Sequence, residues 1–446
     1  MISDMRSELG LFSAFCGFFL AACGSASTGG QGSQTPTGGS AGAAVAGAGT
    51  GGSSIANGGA NANGGSATGG SPSSAGSGGT LGASGASGGS GVSGASGSGG
   101  SGGGQTNGPT LVYVGSTNRQ ISIFSLDAAS GKLGLIKSID AGNYPSFLAL
   151  DPTRTHLYAV NEPDAMVASF KVDPTTGDLT FLNRVASGGG SPAHIFVEQS
   201  GKYAMVANYD GGTTRIFPIA PDGSLGTPTD DKAPGKWSHM ILTDAAEKYV
   251  FVMSKGDDLI AQYVFDAAHG TLTPNSMATV KSAAGAGPRH LAWHPSGKFA
   301  YVIDENDDTM MAFSYNAAVG QLTWLQTLST LPAGTDGTNN TCAEVVVAPS
   351  GNFVYGSNRG NDSIVTFSVD GTSGKLKYIG VTPSGGNVPR SFTLSTDGRL
   401  MLVANESGNV TSFSVNTATG ALSKISSVPA PVAPQFVGIF TLPGKH

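Results

Sequence analysis

From Pro109 onward, short apolar runs rich in Val, Ile, Phe and Tyr are separated by turns of Gly, Pro, Asp and Asn, and no run has helical periodicity. This pattern predicts an all-β domain. One turn recurs seven times, because a Gly-x-Leu triplet closes a polar segment at regular intervals. The steps between these glycines are 46, 46, 47, 50, 54 and 46 residues, so the chain repeats one unit. The glycines are Gly131, Gly177, Gly223, Gly270, Gly320, Gly374 and Gly420.

A second marker opens each unit, and a third follows it at a fixed distance. The opening residues are Pro145, Pro192, Ser238, Pro288, Cys342, Pro389 and Pro434. The residues 16 positions after the first six are Asn161, Asn208, Ser254, Asp304, Asn358 and Asn405. Because this offset is constant while the period varies, we expect the variation to fall in the connections.

Each unit contains four strand candidates. In one unit they are residues 193–197, 203–207 and 213–218, with a short strand after Leu225. Four strands in roughly 45–55 residues are typical of a β-propeller blade. Seven units of about 48 residues need roughly 336 residues, and residues 109–446 supply 338. We therefore predict an all-β fold, a seven-bladed β-propeller of four-stranded antiparallel blades, over residues 109–446.

The first and last strand candidates predict how the ring of blades closes. Residues 111–115 match the second strand of a unit, and residues 436–440 match a first strand. The C-terminal strand should therefore complete the blade that the N-terminal strands begin. This closure would cover sheet edges that otherwise favour aggregation.

The segment before the propeller predicts targeting and a spacer. Residues 11–22 are apolar but too few to cross a bilayer core, and their length suits a signal peptide over residues 1–22. Residues 20–23, Leu-Ala-Ala-Cys, resemble the bacterial lipobox, which implies cleavage before Cys23 and lipid attachment to its thiol. Residues 24–108 contain no Asp, Glu, Lys or Arg, and with Cys23 they predict a disordered Gly/Ser/Ala-rich tether over 23–108. We expect an extracytoplasmic, membrane-anchored lipoprotein at the outer membrane or cell surface, with a plain secretory signal as the alternative.

Composition narrows the function classes. The net charge of −6 and the lack of a basic cluster speak against nucleic acid as a partner. Of the three cysteines, only Cys342 lies in the predicted fold, so no intrachain disulfide framework is expected, and a buried apolar role is favoured for it. No metal-ligand spacing occurs, so we expect neither metal nor cofactor, and we expect a monomer.

Chemistry is predicted at one end of the propeller. With strands labelled a to d outward from the axis, the d-to-a connections and b-to-c turns share one end. There the residues after the opening markers are Ser146, Ala193, His239, Arg289, Ala343, Arg390 and Gln435, followed by Phe147, His194, Met240, His290, Glu344, Ser391 and Phe436. The residues after the third markers are Glu162, Tyr209, Lys255, Glu305, Arg359 and Glu406. Because a-strands line the axis, we predict that these groups converge on one mouth of the channel.

Several of these positions keep a structural alternative. Side chains alternate along a strand, so His194 and His290 should point away from the side that His239 and Arg289 take. One set should then face a neighbouring blade, and both packing and a site role stay open for the two histidines.

The charged turn residues keep an alternative too. Glu162 and Glu406 are open between site residues and solvated turn charges. Arg289 and Arg390 each follow a Pro directly, which favours a functional role. The Gly-x-Leu turns and the Asn markers have a structural interpretation.

Residues 287–302, Gly-Pro-Arg-His-Leu-Ala-Trp-His-Pro-Ser-Gly-Lys-Phe-Ala-Tyr-Val, resemble the hallmark of the seven-bladed lactonase family. That family includes propeller-type 6-phosphogluconolactonase and carboxymuconate cyclase. Residues 343–345 with 349–359, residues 389–392 with 397–399 and 404–405, and residues 207–209 are similar to further hallmarks. The resemblance covers about residues 110–440.

The resemblance implies four catalytic residues, which are His239, Arg289, Glu305 and Arg359. It leaves five further candidates for substrate binding at the same mouth, which are Arg390, Glu344, His290, His194 and Tyr209. The chain departs from the family near His239, because Trp237-Ser238-His239 stands for His-x-His and Ser254-Lys255-Gly256 stands for Asp-Leu-Gly.

The resemblance implies a lactone hydrolase with a small lactone or carboxylate as its substrate. Glu305 or His239 would activate water, and Arg289 and Arg359 would hold the oxyanion or clamp an anionic group. Two alternatives stay open, a carboxymuconate-type cyclase and a non-catalytic tethered propeller that binds a ligand, glycan or protein.

Overall fold

The computed structural model of the protein describes residues 108–443, which form seven antiparallel four-stranded sheets. The predicted signal peptide, Cys23 and most of the tether lie outside the described residues. No helix within residues 108–443 is long and apolar enough to cross a membrane. The regular structure is strand, apart from a short 3-10 helix at Lys255–Asp257.

The strands follow the chain blade by blade. Blade 1 contains β1 (Thr110–Ser116), β2 (Gln120–Asp127), β3 (Lys132–Asp140) and the last strand, β28 (Pro434–Thr441). Blade 2 contains β4 (Pro145–Leu150), β5 (His156–Asn161), β6 (Met166–Val172) and β7 (Leu179–Ala186). Blade 3 contains β8 (Pro192–Val197), β9 (Tyr203–Asn208), β10 (Thr213–Pro218) and β11 (Asp230–Lys232). Blade 4 contains β12 (Ser238–Thr243), β13 (Tyr249–Ser254), β14 (Leu259–Asp266) and β15 (Thr271–Lys281).

The remaining blades have the same order. Blade 5 contains β16 (Pro288–Trp293), β17 (Phe299–Asp304), β18 (Thr309–Asn316) and β19 (Gln321–Ser329). Blade 6 contains β20 (Thr341–Val347), β21 (Phe353–Arg359), β22 (Ser363–Val369) and β23 (Leu376–Pro383). Blade 7 contains β24 (Pro389–Leu394), β25 (Leu400–Asn405), β26 (Asn409–Val415) and β27 (Leu422–Pro429). The seven-bladed propeller predicted from the repeat is confirmed.

The predicted closure of the ring is confirmed as well. Strand β28 pairs antiparallel with β1, from Thr110 opposite Thr441 to Ser116 opposite Pro434. Blade 1 therefore joins both ends of the described chain, and its innermost strand comes from the C-terminal end.

Each innermost strand begins with a β-bulge. In blade 2, Pro145 pairs with Asn161 but Phe147 pairs with Val160, so Ser146 is an extra residue. The same register shift occurs just after the opening residue in the other six blades. A bulge bends the strand and re-aims its side chains. The opening markers of the sequence therefore mark bulges at the mouth end of the channel.

The apolar core lies between blades, and the Gly-x-Leu turns form part of it. The buried Tyr301 of blade 5 donates its hydroxyl to the carbonyl of Gly374 in blade 6, at 3.1 Å. Tyr113, Tyr158 and Tyr355 make the equivalent bond to Gly177, Gly223 and Gly420 of the next blade. Each of these glycines has a positive φ and lies against the neighbouring blade. The structural interpretation of the Gly-x-Leu repeat is therefore correct.

The Asn markers are also structural. Asn161, Asn208, Asn358 and Asn405 are fully buried, and each donates its Nδ2 to a carbonyl in the connection that enters its own blade. The side chain thus fastens the d-to-a connection above the innermost strand. Cys342 is also buried with a free thiol, and burial raises the pKa of that thiol, as expected for a packing residue.

We predict that Gly374→Ala destabilises the protein through packing more than through backbone strain. The φ of Gly374 is +72°, and an added Cβ would lie 2.2 Å from Phe299 Cδ1. The left-handed backbone alone costs about 1–2 kcal/mol, and overpacking adds about 1–3 kcal/mol. Urea unfolding of the full chain measures the sum as a loss of unfolding free energy.

Gly297→Ala is the matched control, because its φ is +67° and an added Cβ would meet open space. It should lose only the backbone part, about 1–2 kcal/mol. Equal losses in the two variants would contradict the interblade packing role.

Candidate functional site

Charged side chains meet at the mouth where the bulges and the b-to-c turns lie together. Blades 4, 5 and 6 supply three cations and one carboxylate, which we call the positive pole. Glu305 Oε1 lies 2.8 Å from Lys255 Nζ and 2.9 Å from Arg359 Nη2, and Glu305 Oε2 lies 3.1 Å from Arg289 Nε. Three of the four residues implied as catalytic, Arg289, Glu305 and Arg359, are thus in direct contact.

The two arginines of the positive pole are also held by backbone carbonyls. Arg289 Nη1 donates to Ala343 O at 2.6 Å, and Arg359 Nη2 donates to Cys342 O at 2.7 Å. A guanidinium has five N–H donors, so these contacts leave donors for a ligand. Burial lowers the pKa of Arg289 to about 9, with Glu305 opposing that shift, and the group stays cationic at neutral pH.

The charge of Glu305 is fixed by its three partners. Burial acts to raise its pKa, but Arg289, Arg359 and Lys255 outweigh burial and lower the pKa to about 2. A carboxylate this acidic holds its proton too weakly to act as an efficient base near neutral pH. The geometry therefore favours Glu305 as the anchor of the cations over Glu305 as the base.

A second charged group, which we call the negative pole, lies on the other side of the mouth. Arg390 of blade 7 stands 3.6 Å from Glu406 and 4.0 Å from Glu162 of blade 2. These contacts are longer than hydrogen bonds, and Glu162 Oε1 is buried without a hydrogen-bond partner among the described residues. With two carboxylates around one guanidinium, this side has the opposite sign of net charge from the positive pole.

The aromatic and histidine side chains two positions after the opening residue fill the axis. The ring of His290 lies 5.0 Å from that of His239 and 5.8 Å from that of His194, measured between centroids. Phe147 contacts His194 at 4.2 Å and Phe436 at 4.8 Å, so these side chains from blades 1, 2, 3 and 5 form one axial layer, and His239 of blade 4, which directly follows its opening residue, joins it.

The expectation that alternation separates the two sets of residues is wrong. Arg289 and His290 are consecutive, yet both line the same cavity together with His239. The bulge at Arg289 interrupts the alternation of the strand, which a count of residues alone does not register. His194 lies in the axial layer and does not line the cavity, in keeping with its packing alternative.

His290 is oriented by a carboxylate. Its Nδ1 lies 2.8 Å from Glu344 Oε1, and an ionised carboxylate can only accept, so Nδ1 carries the proton. The Nε2 atom is then an acceptor, and it is buried without a hydrogen-bond partner in the part of the chain that the structure describes. Burial lowers the pKa of His290, and Glu344 opposes that shift.

His239 is a second uncharged imidazole. Burial lowers its pKa well below the ordinary value, and Arg289 and His290 act in the same direction. Its Nδ1 is also buried and unpartnered among residues 108–443. The space between these side chains is a cavity of about 10 Å³, enough for about one water molecule. Ser146, Glu162 and Arg390 line its other side.

Tyr209 stands at the rim and not at the cavity. Its hydroxyl lies 3.4 Å from Lys255 Nζ, its ring stacks on Trp237 at 5.9 Å, and the ring of His239 lies 5.7 Å away. The nine predicted site residues therefore fall into four places, which are the positive pole, the negative pole, the axial layer with its cavity, and this rim.

The site also contains residues outside the nine selected as catalytic or substrate-binding candidates. Lys255 completes the positive pole, Glu162 and Glu406 form the negative pole, and Tyr144 donates to Gln435 Oε1 at 3.1 Å beside it. The repeat pattern could have identified three of them, since Lys255, Glu162 and Glu406 each directly follow a third marker. Within residues 108–443, no group of three or more His, Cys, Asp or Glu side chains is arranged to hold a metal ion.

Comparison with known proteins agrees with this architecture. The family described as "Lactonase, 7-bladed beta-propeller" matches residues 111–437. The 6-phosphogluconolactonase of Bacillus subtilis is 33% identical over 342 residues, which are 73% of this chain and 96% of the relative. The 6-phosphogluconolactonase of Formosa agariphila is 32% identical over 325 residues, 68% of this chain and 91% of the relative. The solved structure of the periplasmic gluconolactonase PpgL of Pseudomonas aeruginosa superposes with a TM-score of 0.70 at 26% identity, covering 75% of this chain and 99% of that one.

We predict that Glu305→Gln lowers the unfolding free energy by about 3–5 kcal/mol at pH 7, because it leaves three cations without their shared carboxylate. The folded pKa of Glu305 lies below its ordinary value of 4.5, so its stabilisation is complete above that pH and is lost as the pH falls toward about 2. Urea unfolding from pH 7 to pH 3 should show the gap between wild type and variant narrowing below about pH 4.5.

Glu406→Gln serves as the control, since its side chain is 28% exposed and its nearest cationic nitrogen is 3.6 Å away. It should change stability by no more than about 1 kcal/mol. A Glu305→Gln loss as small as this, or a gap that widens in acid, would argue against the proposed anchor.

Proposed function

Because the chain belongs to the seven-bladed β-propeller lactonase family, we propose that it hydrolyses a sugar lactone or a related lactone at this mouth. The family match covers the propeller almost completely, and its relatives include 6-phosphogluconolactonases. The resemblance carried by residues 287–302 is confirmed at the level of the family.

The positive pole is the observation that carries this function. Lactone hydrolysis builds negative charge on the carbonyl oxygen as water adds to the carbonyl carbon. Arg289, Arg359 and Lys255 meet at one carboxylate, so the pole keeps a net positive charge beside the water-sized cavity. Fixed donors in such a water-poor place stabilise an oxyanion more strongly than water does.

The base in this proposal is His290. His290 lines the cavity with an Nε2 that is unpartnered among the described residues, and Glu344 both fixes the tautomer and stabilises the imidazolium that forms on protonation. Glu305 is less suited because its pKa is about 2, and His239 is less suited because no described carboxylate supports it. His239 instead borders the cavity as a neutral imidazole that can position the water or the lactone.

The reaction then balances as follows. Water forms a bond to the carbonyl carbon and gives a proton to His290 Nε2, while Arg289 and Arg359 face the oxyanion. The tetrahedral intermediate collapses, the acyl carbon–ring oxygen bond breaks, and the imidazolium returns the proton to the ring oxygen. The product is a hydroxy acid, whose carboxyl proton passes to solvent.

The negative pole fits the neutral part of a sugar lactone. Glu162 and Glu406 can accept hydrogen bonds from hydroxyl groups, and Arg390 can donate to a hydroxyl oxygen. A phosphate on this side would face two carboxylates around a single guanidinium, which is electrostatically unfavourable. An anionic group would instead be drawn to the positive pole, where the carbonyl has to bind.

The two alternatives predict different results with the same protein. A carboxymuconate-type cyclase closes a lactone and would use the positive pole to hold substrate carboxylates. A non-catalytic binding propeller would bind its ligand and would hydrolyse no lactone. The buried, oriented His290 favours catalysis, since binding alone does not need an unpartnered acceptor beside a buried arginine.

We predict that His290→Asn lowers kcat/KM for lactone opening by about 10²–10⁴, the usual contribution of a general base. Glu344→Gln should lower it less and move the acidic limb of the pH profile to lower pH, because the imidazolium loses its carboxylate. A pH-stat assay on a panel of sugar lactones from pH 5 to pH 7.5, corrected for spontaneous hydrolysis, measures both effects.

His294→Asn provides the control, because His294 directly follows the same strand, β16, at its far end from the mouth and contacts Gly351 O at 3.0 Å. Its kcat/KM should stay within about twofold of the wild-type value. The base would be reassigned to His239 if His239→Asn abolished turnover and His290→Asn did not. Wild-type protein that opens no lactone would contradict the proposed function itself.

We further propose that the propeller is carried outside the cytoplasm on a lipid-modified Cys23. The apolar segment 11–22, the Leu-Ala-Ala-Cys sequence and the uncharged residues 24–108 support this. The family match begins only at residue 111, so the preceding segment is additional to the family domain.

We predict that Cys23→Ala releases the protein from the membrane fraction of a bacterial host and abolishes labelling by a palmitate analogue. Cys16→Ala should retain both, because Cys16 lies inside the apolar segment. Labelling that survives Cys23→Ala would contradict attachment at this residue.

A further inference from the structure

Trp237 forms an aromatic platform on the mouth face, next to the positive pole. The residue is 46% exposed although Trp is normally well buried. Its ring lies parallel to that of Tyr209, with 7° between the planes, and Lys255 Nζ stands 5.8 Å from its centroid. Because Lys255 also contacts Glu305 at 2.8 Å, one side chain links the platform to the proposed reaction centre.

An open cleft continues from this platform between blades 3 and 4. Its volume is about 480 Å³, within the range of small-molecule sites, and Trp237 is one of its walls. Asp210 and Asp257 supply carboxylates, and Gly211, Gly212 and Gly235 supply bare backbone. The cleft opens on the same face as the mouth, since it is built from b-to-c turns and the connection that enters blade 4.

The chemistry of this cleft suits a pyranose ring. The face of an indole is electron-rich, and the C–H groups on one face of a sugar ring carry slight positive charge, so the two stack. Sugar hydroxyls need acceptors, and a carboxylate has about four lone-pair positions, of which the bond from the Lys236 amide uses one at Asp257. The Nε1 of Trp237 donates to no acceptor within residues 108–443 and can donate to a hydroxyl.

We propose that Trp237 and this cleft bind a glycosyl substituent of the lactone, so that the substrate is a disaccharide or longer chain oxidised to a lactone at its end. This rests on the proposed lactonase function and names its substrate class. The lactone ring lies at the positive pole, and the next sugar stacks on Trp237. The relatives' name refers to a phosphorylated monosaccharide, whereas this cleft has room beyond one ring, and its two carboxylates outnumber its one lysine, Lys236, which disfavours phosphate.

The test compares cellobiono-1,5-lactone with glucono-1,5-lactone on the full chain. Wild-type kcat/KM should be about tenfold higher for the disaccharide, the factor expected from one added stacking contact. Trp237→Ala should remove this preference by lowering the disaccharide value about tenfold and the monosaccharide value less than twofold. Trp237→Phe should keep most of it, because a ring remains to stack.

Trp324→Ala is the matched control, since Trp324 is 58% exposed on an outer strand of blade 5. It should leave both values unchanged. Equal losses on both lactones in Trp237→Ala would overturn the proposal and make Trp237 a support for Lys255 only. A dependence on Trp237 for dihydrocoumarin, an aromatic lactone, without one for the disaccharide would overturn it too.

Calorimetric binding of cellobionate, the hydrolysis product, separates this proposal from the lactonase function. Binding that weakens about tenfold in Trp237→Ala and not in Trp324→Ala supports the cleft even if no lactone is opened. If the protein hydrolyses glucono-1,5-lactone and the affinity for cellobionate is unchanged in Trp237→Ala, the proposed lactonase function is retained and the proposed sugar-binding role of the cleft is wrong.

Discussion

The pairing of β28 with β1 is the constraint on which the propeller depends. The blade that β1 to β3 begin is completed by a strand from the other end of the described chain, and this pairing runs from Thr110 to Ser116 on β1. The Tyr-to-glycine hydrogen bonds then fasten consecutive blades to one another within the closed ring. Closure also crowds the innermost strands at the axis, where their bulges turn side chains from different blades toward one another.

The charged side chains brought together at the mouth determine one another's protonation states. Arg289 is buried, and its charge is tolerable because Glu305 lies 3.1 Å from its Nε and because the carbonyl of Ala343 accepts from its Nη1. Glu305 in turn is acidic because three cations surround it. The result is a pole that cannot easily take up a proton, beside imidazoles that burial keeps neutral. Oxyanion stabilisation and proton transfer thereby fall to different side chains within one mouth in the proposed hydrolysis.

Blade 4 gives this family fold its individual character. Both departures from the family pattern noted in the sequence, at Trp237 and at Lys255, occur there, and the structure shows that the two side chains contact each other. Lys255 adds a third cation to Glu305, and Trp237 extends the mouth into a cleft. The two departures near His239 therefore lie next to each other on one side of the site.

The sequence by itself determined the fold, because strand pattern, turn chemistry and a repeat of fixed offset are local properties that seven copies reinforce. It also located the mouth and most of its charges, since Arg289 directly follows an opening marker and Glu305 and Arg359 each directly follow a third marker of the repeat. Only the tertiary structure decided how those charges pair, because a carboxylate's basicity depends on cations brought from three blades. It also decided the direction of His290. One extra residue in a strand changes the side to which the following side chains point, and the sequence pattern does not show where that residue lies.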